Sequence, residues 1–136
     1  MPLTGDMWAA LFFAIAQIES GGVPAVNESE QAHGIYQIRQ VYLDDANEYM
    51  CRRSCKWMSY TLQDVHASKS KSENMIRAYS YRYKSRTPEE IARRHNGGPR
   101  GMEKSSTIKY WKKVKPLYEA ELMRRTTLND QHRIGR

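Results

Sequence analysis

The chain is poor in cysteine and lacks long apolar runs. Cys51 and Cys55 are the only cysteines among 136 residues, which excludes a fold held by several disulfides and a zinc finger with four ligands at the usual spacing. They could close a small loop disulfide or remain two thiols. No apolar stretch reaches the roughly 20 residues of a membrane span. We expect one soluble domain over residues 1–125, a basic, flexible tail over 126–136, and no metal or cofactor.

The N-terminal segment lacks the features of a signal peptide. An apolar run from Trp8 to Ile18 leads directly into Glu19, without a preceding Lys/Arg region or a small-residue cleavage site. We therefore expect this run to be a core helix, and we expect synthesis in the cytoplasm without a classical export signal.

Positive charge is concentrated in the second half of the chain. Residues 1–50 contain seven acidic residues and one basic residue, a net of −6, so the total of +7 leaves +13 for residues 51–136. A basic surface beside an acidic pocket favours a polyanionic partner, either nucleic acid, an anionic membrane or an anionic cell wall. A solvated basic face without a partner explains the charge equally well.

The spacing of apolar residues predicts a mainly helical chain. We expect helices over about Asp6–Glu19, Arg39–Met50 and Ser106–Arg124, a helix capped by Ser72, and loops or a short hairpin between Gly21 and Gly34. Pro116 should kink the last helix or divide it in two.

A further short helix is marked at both ends. Thr87 can cap it, Pro88 suits its first position, and Glu90 completes a capping box. It should end at Asn96-Gly97-Gly98-Pro99, where the chain turns sharply. This turn should bring His95 and Asn96 to a surface.

Glu19 is the most informative charged residue. It continues a stripe of Trp8, Leu11, Phe12 and Ile15 on one helical face, which should face the core. Burial raises the pKa of a carboxyl group, and a proton held near neutral pH suits a general acid in glycosidic bond cleavage. The alternative is a solvated Glu at a helix end, with Gly21 as the C-cap.

Three segments resemble a known family. They are Glu19-Ser20-Gly21-Gly22, then Gly34-Ile35-Tyr36-Gln37-Ile38, then Ala92 to Pro99 followed by Ser105-Ser106-Thr107 and Tyr110 to Val114. Their order and spacing resemble the invertebrate-type (destabilase-type) lysozymes and similar bacterial and phage domains. The first two segments also resemble soluble lytic transglycosylases.

The resemblance implies a lysozyme-like α+β fold, mainly helical with a small β hairpin. It implies cleavage of the β-1,4 bond between N-acetylmuramic acid and N-acetylglucosamine in peptidoglycan, with Glu19 at the position of the family's catalytic Glu. The family's second carboxylate is an Asp in the following loop, which here contains no Asp. Glu28 stands at the Asp position, and Glu30 is the other candidate.

The resemblance also implies roles for other residues. Tyr36 and Gln37 correspond to a cleft wall, where a ring can stack on a sugar and an amide can bind acetamido groups. His95 and Asn96 correspond to positions along the cleft. Tyr36 could equally serve in packing, and His95 and Asn96 could only hydrogen-bond the turn.

The expected partner is the peptidoglycan glycan strand, bound by a monomer without nucleic acid or stable membrane insertion. A bacteriolytic enzyme without an export signal would act on the wall after host lysis or as part of a virion, as a phage endolysin does.

Three alternatives remain open. A lytic transglycosylase would leave 1,6-anhydro products. A basic nucleic-acid-binding helical module is favoured by the charge and by tyrosines interleaved with Arg between Arg77 and Arg82. A catalytically inactive lysozyme-like domain that binds glycan is suggested by the missing loop Asp.

Overall fold

The computed structural model describes residues 2–134, and most of them are helical. In chain order the elements are α1 (Gly5–Ser20), β1 (Val26–Asn27), β2 (Ala32–His33), α2 (Gln40–Arg53), α3 (Leu62–Ala67), α4 (Lys69–Arg82), α5 (Pro88–Gly97), a 3-10 turn (Gly101–Glu103) and α6 (Ser105–Ile134). The strands pair antiparallel, with Val26 opposite His33 and Asn27 opposite Ala32. The predicted α+β class, mainly helical with a small hairpin, is confirmed.

The chain forms two compact units, divided at Glu19 and again after Ser85. In the unit from Glu19 to Ser85, α4 packs on α2 and α3, and α3 also contacts β2. The other unit consists of the segments before Glu19 and after Ser85, and in it α5 packs on the 3-10 turn and on α6. The expected single domain over residues 1–125 stays a prediction.

The predicted apolar face of the first helix is confirmed. Trp8, Leu11, Phe12 and Ile15 are all buried in α1. Their spacing of three and four residues places them on one side of the helix, so burial of this stripe stabilises α1.

The helix expected to begin after Ser72 starts earlier. Ser68 is its N-cap and accepts a hydrogen bond from Lys71 N at 3.2 Å. Ser72 lies buried inside α4, where its hydroxyl donates to Val65 O at 2.7 Å. The prediction of Ser72 as the N-cap is wrong. Ser68 and Ser72 both precede helix-forming residues, so the sequence alone does not distinguish them.

The sequence analysis also missed α3. This six-residue helix begins with a capping box, in which Thr61 Oγ1 accepts from Asp64 N at 3.1 Å and Asp64 Oδ2 accepts from Thr61 N at 2.8 Å. These reciprocal bonds satisfy backbone donors that a short helix would otherwise leave exposed to water.

The start of α5 agrees with the prediction in two of its three parts. Thr87 caps the helix by accepting from Glu90 N at 3.1 Å, and Pro88 is in the first turn. The capping box is not formed, because the Glu90 carboxylate accepts from Arg86 N at 3.3 Å instead of from the backbone N–H of the N-cap residue Thr87.

Pro116 does not divide α6, which continues as one helix from Ser105 to Ile134. Long runs of good helix formers on both sides compensate for the one backbone bond that proline cannot donate. The expected tail over residues 126–136 is helical as far as 134. Asn129 Nδ2 also donates to Asp6 at 2.8 Å. Residues 135 and 136 lie outside the described part of the chain.

Both cysteines are exposed free thiols, so the structure corresponds to the second of the two states considered for them. Within residues 2–134, no helix is both long and apolar enough to cross a membrane.

Candidate active site

Glu19 lies at the C-terminal end of α1, where its side chain is half-buried. Gly21 and Gly22 follow with φ angles of 71° and 83°. This left-handed backbone costs little for glycine and ends the helix directly after Ser20. The E-S-G-G segment therefore places a carboxylate at a defined helix terminus.

Ser20 joins the first two sequence motifs. Its hydroxyl donates to Ile35 O at 2.7 Å and accepts from Gly22 N at 3.3 Å. The end of α1 is thereby fixed to the G-I-Y-Q segment, fifteen residues later in the chain. This bond gives a physical reason for the paired occurrence of the two motifs.

Tyr42, one of two stacked and buried tyrosines, interacts electrostatically with Glu19. Tyr42 of α2 stacks on Tyr79 of α4, with ring centroids 3.7 Å apart and ring planes 15° apart. Burial raises the pKa of Tyr42 well above its usual value, and the charges of Tyr79 and Glu19 raise it further. Tyr42 therefore stays a neutral hydroxyl at neutral pH. The sequence analysis missed it because no motif near Tyr42 links it to Glu19.

Glu28 and Glu30 lie in the exposed turn that connects β1 to β2. Glu30 forms an ion pair with Arg39, with Oε2 and Nη2 2.9 Å apart. Glu28 forms no ion pair with any residue that the structure describes, and its main-chain carbonyl accepts from Gln31 Nε2 at 2.7 Å. Of the two candidates for the second carboxylate, Glu28 is the one not engaged by a cation.

Tyr36 is fully buried, and its expected place at a cleft wall stays a prediction. Its hydroxyl donates to Glu73 Oε2 at 2.6 Å. The packing role considered for Tyr36 is the one that the structure shows. Its neighbours in the sequence are apolar or amide residues, so nothing there indicated a half-buried carboxylate partner on α4.

Gln37 adopts a left-handed backbone with φ of 52°. Its Nε2 donates to Ala25 O and to Gly34 O, both at 2.9 Å. Both amide hydrogens thus hold the base of the hairpin, and Oε1 is the group that Gln37 can offer to a substrate. The amide nitrogen of Gln37 therefore has a structural role that the sequence did not suggest.

His95 and Asn96 belong to the last turn of α5, directly before the sharp bend that was predicted within Asn96–Pro99. His95 is half-buried and Asn96 is exposed. The bend itself is at Gly98, which has φ of 85°. These two residues lie in the unit that contains α5 and α6, and Glu19 lies in the other one.

Arg93, which the sequence analysis did not single out, stabilises this region. It is buried, with Nε donating to Thr107 Oγ1 at 2.9 Å, Nη1 to Glu89 at 2.9 Å and Nη2 to Met102 O at 3.1 Å. Thr107 donates in turn to Gly101 O at 2.6 Å. The A-R-R-H-N-G-G-P segment and the following Ser-Thr are therefore held together by one guanidinium group.

Within residues 2–134, no group of three or more His, Cys, Asp or Glu side chains is placed to hold a metal ion. The unit from Glu19 to Ser85 contains two candidate carboxyl groups in different environments, with Glu19 half-buried and Glu28 exposed.

Known proteins resemble this chain in sequence and in structure. No family model matches it. A protein of Magallana gigas named lysozyme is 31% identical over 125 residues, covering 78% of this chain and 77% of that protein. An invertebrate-type lysozyme of Ruditapes philippinarum is 29% identical over 110 residues, covering 76% of each. The crystal structure of an inhibitor-bound lysozyme from Meretrix lusoria has a TM-score of 0.62 and 26% identity, covering 83% of this chain and 92% of that one.

Proposed function

Because this chain belongs to the invertebrate-type lysozyme family and is a lysozyme, we propose that it hydrolyses the β-1,4 bond between N-acetylmuramic acid and N-acetylglucosamine in peptidoglycan. The observation that carries this proposal is the placement of Glu19. Its carboxyl group is half-buried at the end of α1 and is adjacent to a serine bonded to Ile35. The charge of Glu19 also contributes to the raised pKa of the buried Tyr42.

Glu19 would act as the general acid. A glycosidic oxygen leaves poorly as an alkoxide, so a protonated carboxyl must donate to it as the bond breaks. Partial removal from water favours the protonated form of a carboxyl group. Half-burial at the helix end supports Glu19 in this role.

Glu28 would supply the second carboxylate, which attacks C1 or stabilises the positive charge that develops on the sugar ring. Solvent exposure in the hairpin turn favours the charged form of a carboxylate, as this role requires. The ion pair between Glu30 and Arg39 supports choosing Glu28 over Glu30.

Three more residues are proposed to contact the glycan. Gln37 would accept a hydrogen bond from an acetamido N–H through Oε1, since both of its amide hydrogens are bonded to the main chain. His95 and Asn96 would contact the glycan strand from α5. Exposure of Asn96 supports this role.

The roles of the carboxylates can be tested with purified cell walls. Glu19→Gln should lower the hydrolysis rate by at least about 10²-fold, because a general acid contributes 10²-fold or more. Glu28→Gln should also cause a large loss. Glu48→Gln, at an exposed position on α2, is the control and should leave the rate unchanged. A Glu19→Gln variant that clears walls at the wild-type rate would exclude Glu19 as the acid.

A lytic transglycosylase is the second candidate, favoured by the absence of an Asp from the loop between Gly22 and Gly34. Such an enzyme uses one Glu and lets the muramyl C6 hydroxyl attack, which leaves a 1,6-anhydro end. Mass spectrometry of digested peptidoglycan separates the two mechanisms. Reducing ends support hydrolysis, whereas anhydromuramyl ends together with an active Glu28→Gln variant would establish the transglycosylase.

We further propose a bacteriolytic role, either as a phage endolysin that reaches the cell wall through a membrane lesion or as a virion-carried enzyme. Its peptidoglycan substrate and its net charge of +7 support this role. Expression in a bacterial cytoplasm should lyse cells only after the inner membrane is permeabilised. Lysis without permeabilisation would contradict it.

A further inference from the structure

Tyr36 and Glu73 form a partly buried hydrogen bond that the proposed chemistry does not use. Tyr36 has no exposed surface, and its hydroxyl donates to Glu73 Oε2 at 2.6 Å, across 37 residues of sequence. Glu73 lies on α4, with Lys69 Nζ 3.9 Å from the same oxygen. A hydrogen bond to an ionised acceptor is among the stronger ones in a folded protein.

The direction of this bond is fixed. Burial raises the pKa of Tyr36 far above its usual value, and the hydrogen bond to Glu73 and its negative charge raise it further. Tyr36 therefore remains protonated and is always the donor. Glu73 is the acceptor that a buried phenol needs to avoid an unpaired hydroxyl.

The bond connects to the end of α1 through a short path. Ile35, adjacent to Tyr36, accepts the hydroxyl of Ser20 at 2.7 Å, and Ser20 is adjacent to Glu19. From α4 to Glu19 the path thus consists of two hydrogen bonds and two peptide links. The two hydrogen bonds involve consecutive residues, Ile35 and Tyr36.

We propose that Tyr36 and Glu73 are positioning residues that hold Glu19 in its reactive place through Ile35 and Ser20. This inference rests on the proposed role of Glu19 as general acid. A small displacement of a reacting group can cost a large factor in rate, so loosening this path lowers kcat more than it weakens substrate binding.

The chain offers a matched control. Tyr83 also donates to a carboxylate, Asp45 Oδ2, at 2.7 Å, and this bond joins the end of α4 to α2. Tyr83→Phe removes the same kind of bond in the same unit but keeps the ring that packs on Tyr79. Within residues 2–134, the side chains of Tyr83 and Asp45 bond to each other and Asp45 also pairs with Arg82, so these bonds do not include Ser20 or Ile35.

The first experiment measures kcat and KM on soluble chito-oligosaccharides, well below the unfolding temperature. Tyr36→Phe should lower kcat by about tenfold with KM within about twofold. Tyr83→Phe should leave both within about twofold. Ser20→Ala combined with Tyr36→Phe should lose less than the product of the single losses, because both variants break one path.

Two results would overturn the proposal. One is a Tyr36→Phe variant with a lowered unfolding temperature and an unchanged kcat, which would make the bond purely stabilising. The other is an equal loss of kcat in Tyr83→Phe, which would indicate general loosening of the unit.

A second measurement separates this proposal from the proposed activity. In a 13C NMR titration, Tyr36→Phe should shift the titration midpoint of the Glu19 carboxyl, and Tyr83→Phe should not. This readout tests positioning even if the wild-type chain hydrolyses no glycan. An unshifted midpoint in Tyr36→Phe would contradict the proposal.

Discussion

Gly34 combines a left-handed backbone with a close approach to the main chain of α3. Its φ is 82°, and an added Cβ would lie 2.8 Å from Val65 O and 3.3 Å from His66 Cα. The hairpin can approach α3 this closely only because glycine has no side chain. The G-I-Y-Q segment, which carries Tyr36 and accepts the Ser20 bond, begins at this contact.

Gly34→Ala should lower the free energy of unfolding by about 2 kcal/mol or more, since strain and a backbone clash add. Gly21→Ala is the matched control, because φ is 71° there but no atom lies within 4 Å of an added Cβ. It should cost only about 1 kcal/mol of backbone strain. Urea unfolding measures both, and equal losses would show that the contact with Val65 contributes nothing.

Arg93 supports a second residue-scale prediction. Arg93→Ala leaves Thr107 and Met102 O without their donor and removes the ion pair with Glu89. Leaving these buried acceptors without a donor should lower the free energy of unfolding by about 2 kcal/mol. Arg100→Ala, which breaks an exposed pair with Glu103, should cost less than about 1 kcal/mol in the same thermal unfolding experiment. Similar losses would contradict this assignment.

The residue-scale comparison shows what motif spacing conveys. The helix pattern placed Glu19 at the end of a buried stripe, because a side chain's face depends only on local periodicity. The partners of Tyr36 and Arg93 depend on contacts with other elements. These contacts cannot be deduced from the local sequence. The sequence therefore left packing and a cleft wall as alternatives for Tyr36, and it gave no signal for Arg93.

At the scale of elements, the capping box of α3 makes a pH-dependent contribution. The hydrogen bond from the Thr61 backbone is the main cause that lowers the pKa of Asp64, with Lys71 adding to it. A carboxyl group whose pKa is lower in the folded state stabilises the fold above its usual pKa of about 4. That contribution is lost as the pH falls through the lowered value.

The difference in Tm between wild type and Asp64→Asn should therefore be constant above about pH 5 and shrink below about pH 4. Ser68→Ala removes the N-cap of α4 without changing a carboxylate, so its difference in Tm should not follow pH in this way. A pH-independent effect of Asp64→Asn, measured by calorimetry, would contradict the charged capping bond.

Element boundaries were predictable where two signals coincide. Thr87 and Pro88 together mark one helix start, and the structure begins α5 there. Ser68 and Ser72 offer the same capping chemistry four residues apart, and only the burial of Ser72 against α3 decides between them. α3 itself is too short to show a periodic pattern, so its Thr61 box was the single available signal.

At the scale of the whole molecule, the charge is divided along the chain, with −6 over residues 1–50 and +13 over residues 51–136. The helix α6 contributes exposed cations at several positions, among them Lys109, Lys112 and Lys113. Several other cations are paired, such as Arg82 with Asp45 and Glu48. The unpaired excess remains available to attract an anionic cell wall over a distance set by the salt concentration.

Activity on cell walls should therefore fall steeply once salt exceeds about 0.15 M, where the Debye length drops below about 8 Å. Hydrolysis of neutral chito-oligosaccharides should respond much less, because those substrates offer no charge to attract. Initial rates on both substrates across a salt series measure the difference. Lys112→Glu with Lys113→Glu reverses two exposed charges of α6 and should reduce the rate on walls at low salt while leaving the oligosaccharide rate unchanged. Both assays use the same folded enzyme with the same carboxylates, so they differ only in the charge of the substrate. An equal salt response on the two substrates would mean that the excess positive charge does not attract the enzyme to the cell wall.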